Sequence, residues 1–263
     1  MKPSFEYKEF LAELRRTGVT VLRSVIPADV ITTISVAVDR ERERLEQTNR
    51  AALYKINMSL LASPGHPGFL CPLNYPFCHE EIITAPRLSG VLAAYLGSDF
   101  YLHEYVVNIS LARGTTAQHV HLDQENDGLG TVGVVCNFPL SFTGPHNGMT
   151  KMWLGSQDSP ERDLETLNNL YTPFQPTLYP GDVMIRDLGL LHQGTPNPDI
   201  KDRNLLALVY KPERQKLGDE VRGDIPQSVW NSWNARQQAV MRRHQRVEAN
   251  EVYAQPYSVP DAM

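Results

Sequence analysis

Four runs between residues 100 and 212 constrain the fold most: "FYLHEYVVNISLA", "TVGVVCNFPL", "PTLYPGDVMIRD" and "NLLALVYKP". Each is short and rich in β-branched, aliphatic and aromatic residues. Turn formers such as "ARGTT", "TGPHNG" and "YPGD" punctuate them. Strands at this spacing bury their apolar faces by forming a sandwich or barrel. The expected β-core therefore covers about residues 100–211.

Helical spacing flanks that core. Phe5, Phe10, Leu11 and Leu14 recur at helix period, followed by a short alternating run, "GVTVLRS". Pro27 suits the first turn of a second helix whose stripe is Val30, Ile31, Ile34 and Val38. Its charged end, "DRERERLE", reads as a solvated face. Residues 51–85 are rich in Pro and Gly and read as a long lid or binding loop. Leu88, Val91, Leu92 and Leu96 mark a further helix over 86–97, and the tail predicts one helix over about 226–249. With no repeat or low-complexity linker, 1–263 reads as a single domain, its N-terminal helices within 5–97.

Composition excludes some function classes. The formal charge of −5 gives no broadly basic surface for nucleic acid. No run of about 18 apolar residues could cross a membrane. The N-terminus lacks the apolar core of a secretory signal. Cys71, Cys78 and Cys136 match neither a disulfide framework nor a zinc ribbon, so reduced cysteines and a cytoplasmic location are expected. The expected partner is a small molecule, with the oligomeric state open.

Chemistry concentrates in "AQHVHLDQEN". On an extended segment, residues two apart share a face, so His119, His121 and Asp123 would point together. His192 ends a later strand-like run, and two histidines with one carboxylate can form a facial triad that leaves metal positions open. Arg203, 11 positions on, begins a run that an antiparallel return would bring back beside the metal. A buried arginine there calls for a planar anionic partner such as a carboxylate.

The ordered set resembles the iron(II)- and 2-oxoglutarate-dependent dioxygenases, more narrowly the phytanoyl-CoA dioxygenase-like branch. Gln118, His121 and Asp123 match its Gln-x-x-His-x-Asp motif. Asn147, Gly148 and Thr150 match its "NG-x-T". Pro180, Gly181 and Asp182 match a "PGD" turn. His192, Gly194, Thr195, Asn197 and Arg203 match the distal "H-x-G-T-x-N" with its arginine. The likeness spans residues 5–212. It departs at Gln157, where a histidine is usual, and at Leu154, where a proline is usual.

The resemblance implies a double-stranded β-helix core, a jelly roll of cupin type. It implies iron(II) held by His121, Asp123 and His192, with His119 facing substrate or bracing the ligands. 2-Oxoglutarate would be clamped by Arg203 and contacted by Thr150, Gln118 and Thr195. Dioxygen and the keto acid would yield succinate and carbon dioxide while a substrate C–H is oxidised by hydroxylation, desaturation, ring formation or epoxidation. Asp123 argues against halogenation, since related halogenases carry a small residue there. A small natural-product substrate, with a place in secondary metabolite biosynthesis, is expected, and Lys55, Asn108, His119 and Tyr105 are candidate contacts. Met58, Leu60, Leu61, Phe69 and Leu70 suggest an apolar wall. Two alternatives stay open: a zinc hydrolase using the same triad, and a cupin-like binding protein without turnover.

Overall fold

A computed structural model describes residues 5–50, 52–53, 65–214 and 220–248. Helix α1 (Phe5–Thr17) leads into strand β1 (Val19–Leu22) and helix α2 (Ala28–Thr48). Pro27 sits just before α2, at the position capping its first turn. Strand β2 (Gly68–Leu70) and helices α3 (Glu80–Ile83) and α4 (Pro86–Leu96) come next. The expected loop over 51–85 is therefore partly ordered structure. Its Phe69 and Leu70 find strand partners in Val107 and Val106, a tertiary pairing no local pattern announces. Lys55, Met58, Leu60 and Leu61, expected to contact substrate or form an apolar wall, lie outside the described residues.

The remaining strands are β3 (Tyr101–Ser110), β4 (Val134–Pro139), β5 (Thr150–Leu154), β6 (Thr172–Phe174), β7 (Val183–Asp187), β8 (His192–Gly194) and β9 (Arg203–Lys211). Helix α5 (Leu164–Leu170) joins β5 to β6. A six-stranded sheet runs β1-β7-β4-β9-β3-β2, and a three-stranded sheet runs β6-β5-β8. The pairings in both are antiparallel, giving the jelly-roll core that the resemblance implies.

Register assigns each face of the large sheet, because directly paired residues point the same way. One face carries the row Ile185, Cys136, Leu208 and Tyr105. These residues join Leu11, Leu14, Ile34, Leu88 and Leu92 from the helices in the main apolar core. The other face carries Arg186, Val135, Val209 and Glu104 in one row, and Met184, Asn137, Ala207, Val106 and Leu70 in the next. This inner face meets the small sheet, where Val19 and Met184 cluster with Met149, Met152, Leu178 and Leu190.

The tail differs from the single helix expected over 226–249. Short strand β10 (Ile225–Pro226) precedes helices α6 (Gln227–Ser232) and α7 (Ala235–Val240), and strand β11 (Arg246–Val247) then pairs parallel with β10. Trp233 is extended, and Asn234 restarts the helix through a reciprocal capping box with Gln237. The apolar period hides this break.

Candidate metal centre

Two chain segments build the centre. Residues 118–123 run antiparallel to 188–194 without forming a regular strand. Gln118 and Gly194, His121 and His192, and Asp123 and Leu188 are joined by backbone hydrogen bonds. The N–H of His121 donates to the His192 carbonyl at 2.9 Å, and that of His192 returns the bond at 2.8 Å. Side chains of such a pair project to one side. Ligand atoms of His121, Asp123 and His192 all lie within 4.8 Å of one another, close enough to share one ion.

Ring orientation follows from the second nitrogen of each histidine. His121 Nδ1 lies 2.8 Å from the His119 carbonyl and His192 Nδ1 lies 3.0 Å from the Leu190 carbonyl. A proton on Nδ1 satisfies both carbonyls and leaves the Nε2 lone pairs for a metal. His192 Nε2 is 3.5 Å from Asp123 Oδ1. Burial lowers His192 well below the ordinary imidazole value, with Arg186 and His121 acting the same way, so the ring stays neutral as metal binding requires. Burial alone would raise the Asp123 carboxyl. The Arg186 guanidinium, foremost among its neighbours, more than offsets it and holds the group well below the ordinary carboxylate range.

His119 contributes its carbonyl, while its side chain is exposed. Asn108 is half-buried on the inner face of β3, beside Leu205 and Gly68. Tyr105 faces the other way, into the helix-side core, where its ring meets Phe77 edge-on. The structure does not bring Tyr105 to this centre, because strand alternation sends it opposite to Asn108. Phe69 is likewise in the helix-side core, and Leu70 is on the inner face.

A second cluster gathers where the loop before β5, the strand that pairs with the His192 strand, meets the start of β9. Arg203, 4% exposed, shares its row with Ser110. Its Nη2 donates to the Gly148 carbonyl, while Nε and Nη1 have no hydrogen-bond partner among the described residues. Burial pushes its pKa down to about 10. The "NG-x-T" motif explains the delivery of that carbonyl. Asn147 Oδ1 accepts from Gly144 N–H at 2.7 Å and its Nδ2 donates to the Phe142 carbonyl at 2.7 Å, shaping a turn. Gly148 then takes a φ of +80°, and a Cβ there would fall 2.2 Å from Ser110 Oγ. Asn197 Nδ2 donates to the Ser110 and Lys201 carbonyls, at 2.9 Å each, tying the β8–β9 loop to β3 and so placing Arg203.

Gln118, Gly194 and Thr150 form one row across the small sheet. Gln118 Oε1 accepts from Gly194 N–H at 2.9 Å, which leaves its amide N–H groups as donors. Thr195 Oγ1 donates to the Met149 carbonyl at 2.6 Å. The departure at Gln157 is accommodated by packing: its Nε2 reaches the Arg15 carbonyl of α1 at 3.5 Å.

Two residues of the site escaped sequence reasoning. Arg186 Nη2 donates to Asp123 Oδ2 at 2.7 Å, and Nη1 lies 3.0 Å from His192 Nδ1. His66 is buried with Nε2 3.1 Å from the Thr116 carbonyl, and the Arg203 charge helps burial lower its pKa. Arg186 had no local signal, since β7 is buried throughout and its partner Asp123 is distant in sequence. His66 had no local signal within its Pro- and Gly-rich segment.

The residues fit the group that the resemblance implies. One nitrogen from each histidine and one carboxylate oxygen converge, and the buried Arg203 has two nitrogens without a partner among the described residues, free for an anion.

No protein family model matches the chain. Solved structures do. AviO1 from Streptomyces viridochromogenes Tue57 is 18% identical with a TM-score of 0.61, over 80% of this chain and 96% of its own. EctD from S. alaskensis, solved with bound Fe, is 18% identical with a TM-score of 0.63, over 92% of this chain and 88% of its own. EctD has also been solved with 2-oxoglutarate and 5-hydroxyectoine. SnoN, a non-haem α-ketoglutarate-dependent epimerase from nogalamycin biosynthesis, is 15% identical with a TM-score of 0.60, over 79% of this chain and 83% of its own. The chain therefore shares the jelly-roll fold of these proteins, and within it carries a His-Asp-His cluster able to hold a metal ion.

Proposed function

We propose that the protein is a non-haem iron(II)- and 2-oxoglutarate-dependent oxygenase acting on an unactivated C–H bond of a small organic, natural-product-like molecule. The observation that carries this reading is Arg203. It is a buried guanidinium with two nitrogens unpartnered among the described residues, set on the inner face and bonded to the carbonyl of Gly148, just before β5, the strand that pairs with the His192 strand. Zinc-assisted hydrolysis does not in itself call for that cation, whereas a keto diacid always presents a distant carboxylate to it. Bound 2-oxoglutarate in EctD supports the reading.

His121 Nε2, Asp123 and His192 Nε2 would hold the iron. Bound there with 2-oxoglutarate and dioxygen, the metal supplies oxidation of the substrate C–H bond, with succinate and carbon dioxide released. Arg203 orients the keto acid by pairing with its far carboxylate, and Gln118 and Thr150 offer hydrogen bonds along its length. Leu190 and His119 carbonyls fix the imidazole protons on Nδ1. Val106, Val135, Ala207, Val209 and Leu70 form an apolar cluster that restricts water on the inner face. Asn108 and Glu104, half-buried on the same face of β3, are the described polar groups best placed to meet a substrate.

The test is a screen for substrate-stimulated succinate release with mass spectrometry of the product. The reading predicts oxygen- and iron-dependent turnover with product mass altered by an oxidation. Turnover with zinc in the absence of oxygen would contradict it.

A further inference from the structure

We propose that Arg186 is a positioning residue that fixes how Asp123 presents its carboxylate to the metal. The inference rests on the reading of His121, Asp123 and His192 as the metal ligands.

Asp123 lies on an irregular segment, anchored by its backbone N–H to the Leu188 carbonyl at 2.9 Å. Nothing in that local structure fixes the rotation of its carboxylate. Arg186 lies on β7, between β1 and β4, with Val19 and Val135 as its strand partners. Its side chain is 6% exposed, that of Asp123 32%. The arginine is the rigid member of the pair. Its neighbour Asp187 faces away and is occupied by the Tyr95 hydroxyl at 3.0 Å and the Gly189 N–H at 2.8 Å. Asp123 is the carboxylate to which Arg186 donates among the described residues.

The contact divides the two carboxylate oxygens. Oδ2 accepts from Arg186 Nη2 at 2.7 Å, and Oδ1 faces His192 Nε2 at 3.5 Å. The contact turns Oδ1 toward the position of the ion and makes Oδ2 the poorer ligand. A carboxylate that used both oxygens would occupy two positions of an octahedral metal. Together with the histidines it would leave two positions, one short of what a chelating keto acid and one further ligand need. Arg186 also draws charge from Asp123, and its planar fork is packed between that carboxylate and the His192 ring, with Nη1 3.0 Å from His192 Nδ1. A lysine could reach Oδ2 as a point charge but lacks the planar fork that fixes the direction of the contact.

The experiment compares wild type, Arg186→Met and Arg186→Lys. Iron(II) affinity is measured anaerobically by chelator competition, and the visible charge-transfer band is recorded after 2-oxoglutarate is added. Circular dichroism and thermal unfolding of the metal-free proteins report folding. Arg186→Met is expected to bind iron about 10–100-fold more weakly and to shift or lose the band, with Arg186→Lys between it and wild type. Wild-type affinity and an unchanged band in a folded Arg186→Met, or tighter binding, overturn the proposal. If Arg186→Met does not fold, Arg186→Lys decides: weaker binding with normal unfolding supports the role, and wild-type binding overturns it. A wild type that binds no iron overturns the metal reading itself, and this role with it.

Discussion

His121 and His192 exchange both of their backbone hydrogen bonds, and their ring centroids stand 4.2 Å apart. The candidate metal centre is thus set by main-chain pairing, and a side-chain change should remove the proposed ligand while sparing the frame. His192→Ala is expected to keep the circular dichroism spectrum and to abolish iron(II) binding. Metal analysis after anaerobic loading checks it, and stoichiometric iron in that variant would remove His192 from the centre.

Asp123→Ala carries an additional cost. It leaves Arg186 buried without its carboxylate. Breaking a fully buried pair costs about 3–5 kcal/mol. Because Asp123 is partly open, about 1–3 kcal/mol is expected here. Urea unfolding of the metal-free protein measures this, and His192→Ala under the same conditions is the comparison. Equal stability of the two variants would show that the ion pair contributes nothing.

Arg203 has the opposite energetics. With Nε and Nη1 unpartnered among the described residues, and Nη2 bonded only to the neutral Gly148 carbonyl, its charge has no anionic partner there until an anion binds. Arg203→Met should therefore leave the ligand-free protein as stable as wild type or more so. The same variant should lose about 2–5 kcal/mol of 2-oxoglutarate binding. Calorimetric titration and thermal unfolding read the two effects separately. Lower stability with unchanged binding would reverse the assignment.

Gly148 tests the delivery of the carbonyl that Arg203 grips. Alanine must adopt a φ of +80° and place its Cβ 2.2 Å from Ser110 Oγ. Gly148→Ala is expected to destabilise by about 2–4 kcal/mol. It should also weaken 2-oxoglutarate binding by moving Arg203. Denaturant unfolding would contradict the argument if it showed less than about 0.5 kcal/mol of loss, the range of an unconstrained surface substitution.

His244 gives a pH test away from the metal. Burial lowers its pKa below the ordinary 6.5, although Gly223 and Leu102 carbonyls and Asp224 oppose the shift. Below 6.5 the unfolded chain binds the proton more readily than the folded one. Stability from this group is therefore present above 6.5 and is lost as pH falls below it toward the lowered folded value. His244→Gln should be destabilised at pH about 7.5, and its deficit relative to wild type should shrink by pH about 5.5. A deficit that grows on acidification would reverse the sign. Comparing the two proteins cancels Glu104 and Asp187, whose carboxyls burial raises.

Where the chain pattern is local, the sequence is readable. The stripe Val30, Ile31, Ile34 and Val38 becomes the buried face of α2, and the His121, Asp123 spacing places two ligands together. Where two distant segments decide the outcome, it is not. Every residue of β7 is buried, so no alternation marks Arg186 as facing inward rather than outward. Its role depends on pairing with Val135 across the sheet and on the loop that carries Asp123. Tyr105 shows the same limit from the other side, since β3 is buried on both faces and its polar character does not tell which one it serves. The broken tail was legible in principle: Asn234 and Gln237 are a capping box, a start signal inside an apparently continuous helix.

Diffraction from crystals grown anaerobically with manganese(II), as an inert substitute for iron, and 2-oxoglutarate tests the central claim most directly. The account predicts one ion on His121 Nε2, Asp123 Oδ1 and His192 Nε2, with the far carboxylate of the keto acid against Arg203. An ion bound away from these three residues, or a keto acid that leaves Arg203 untouched, would contradict it.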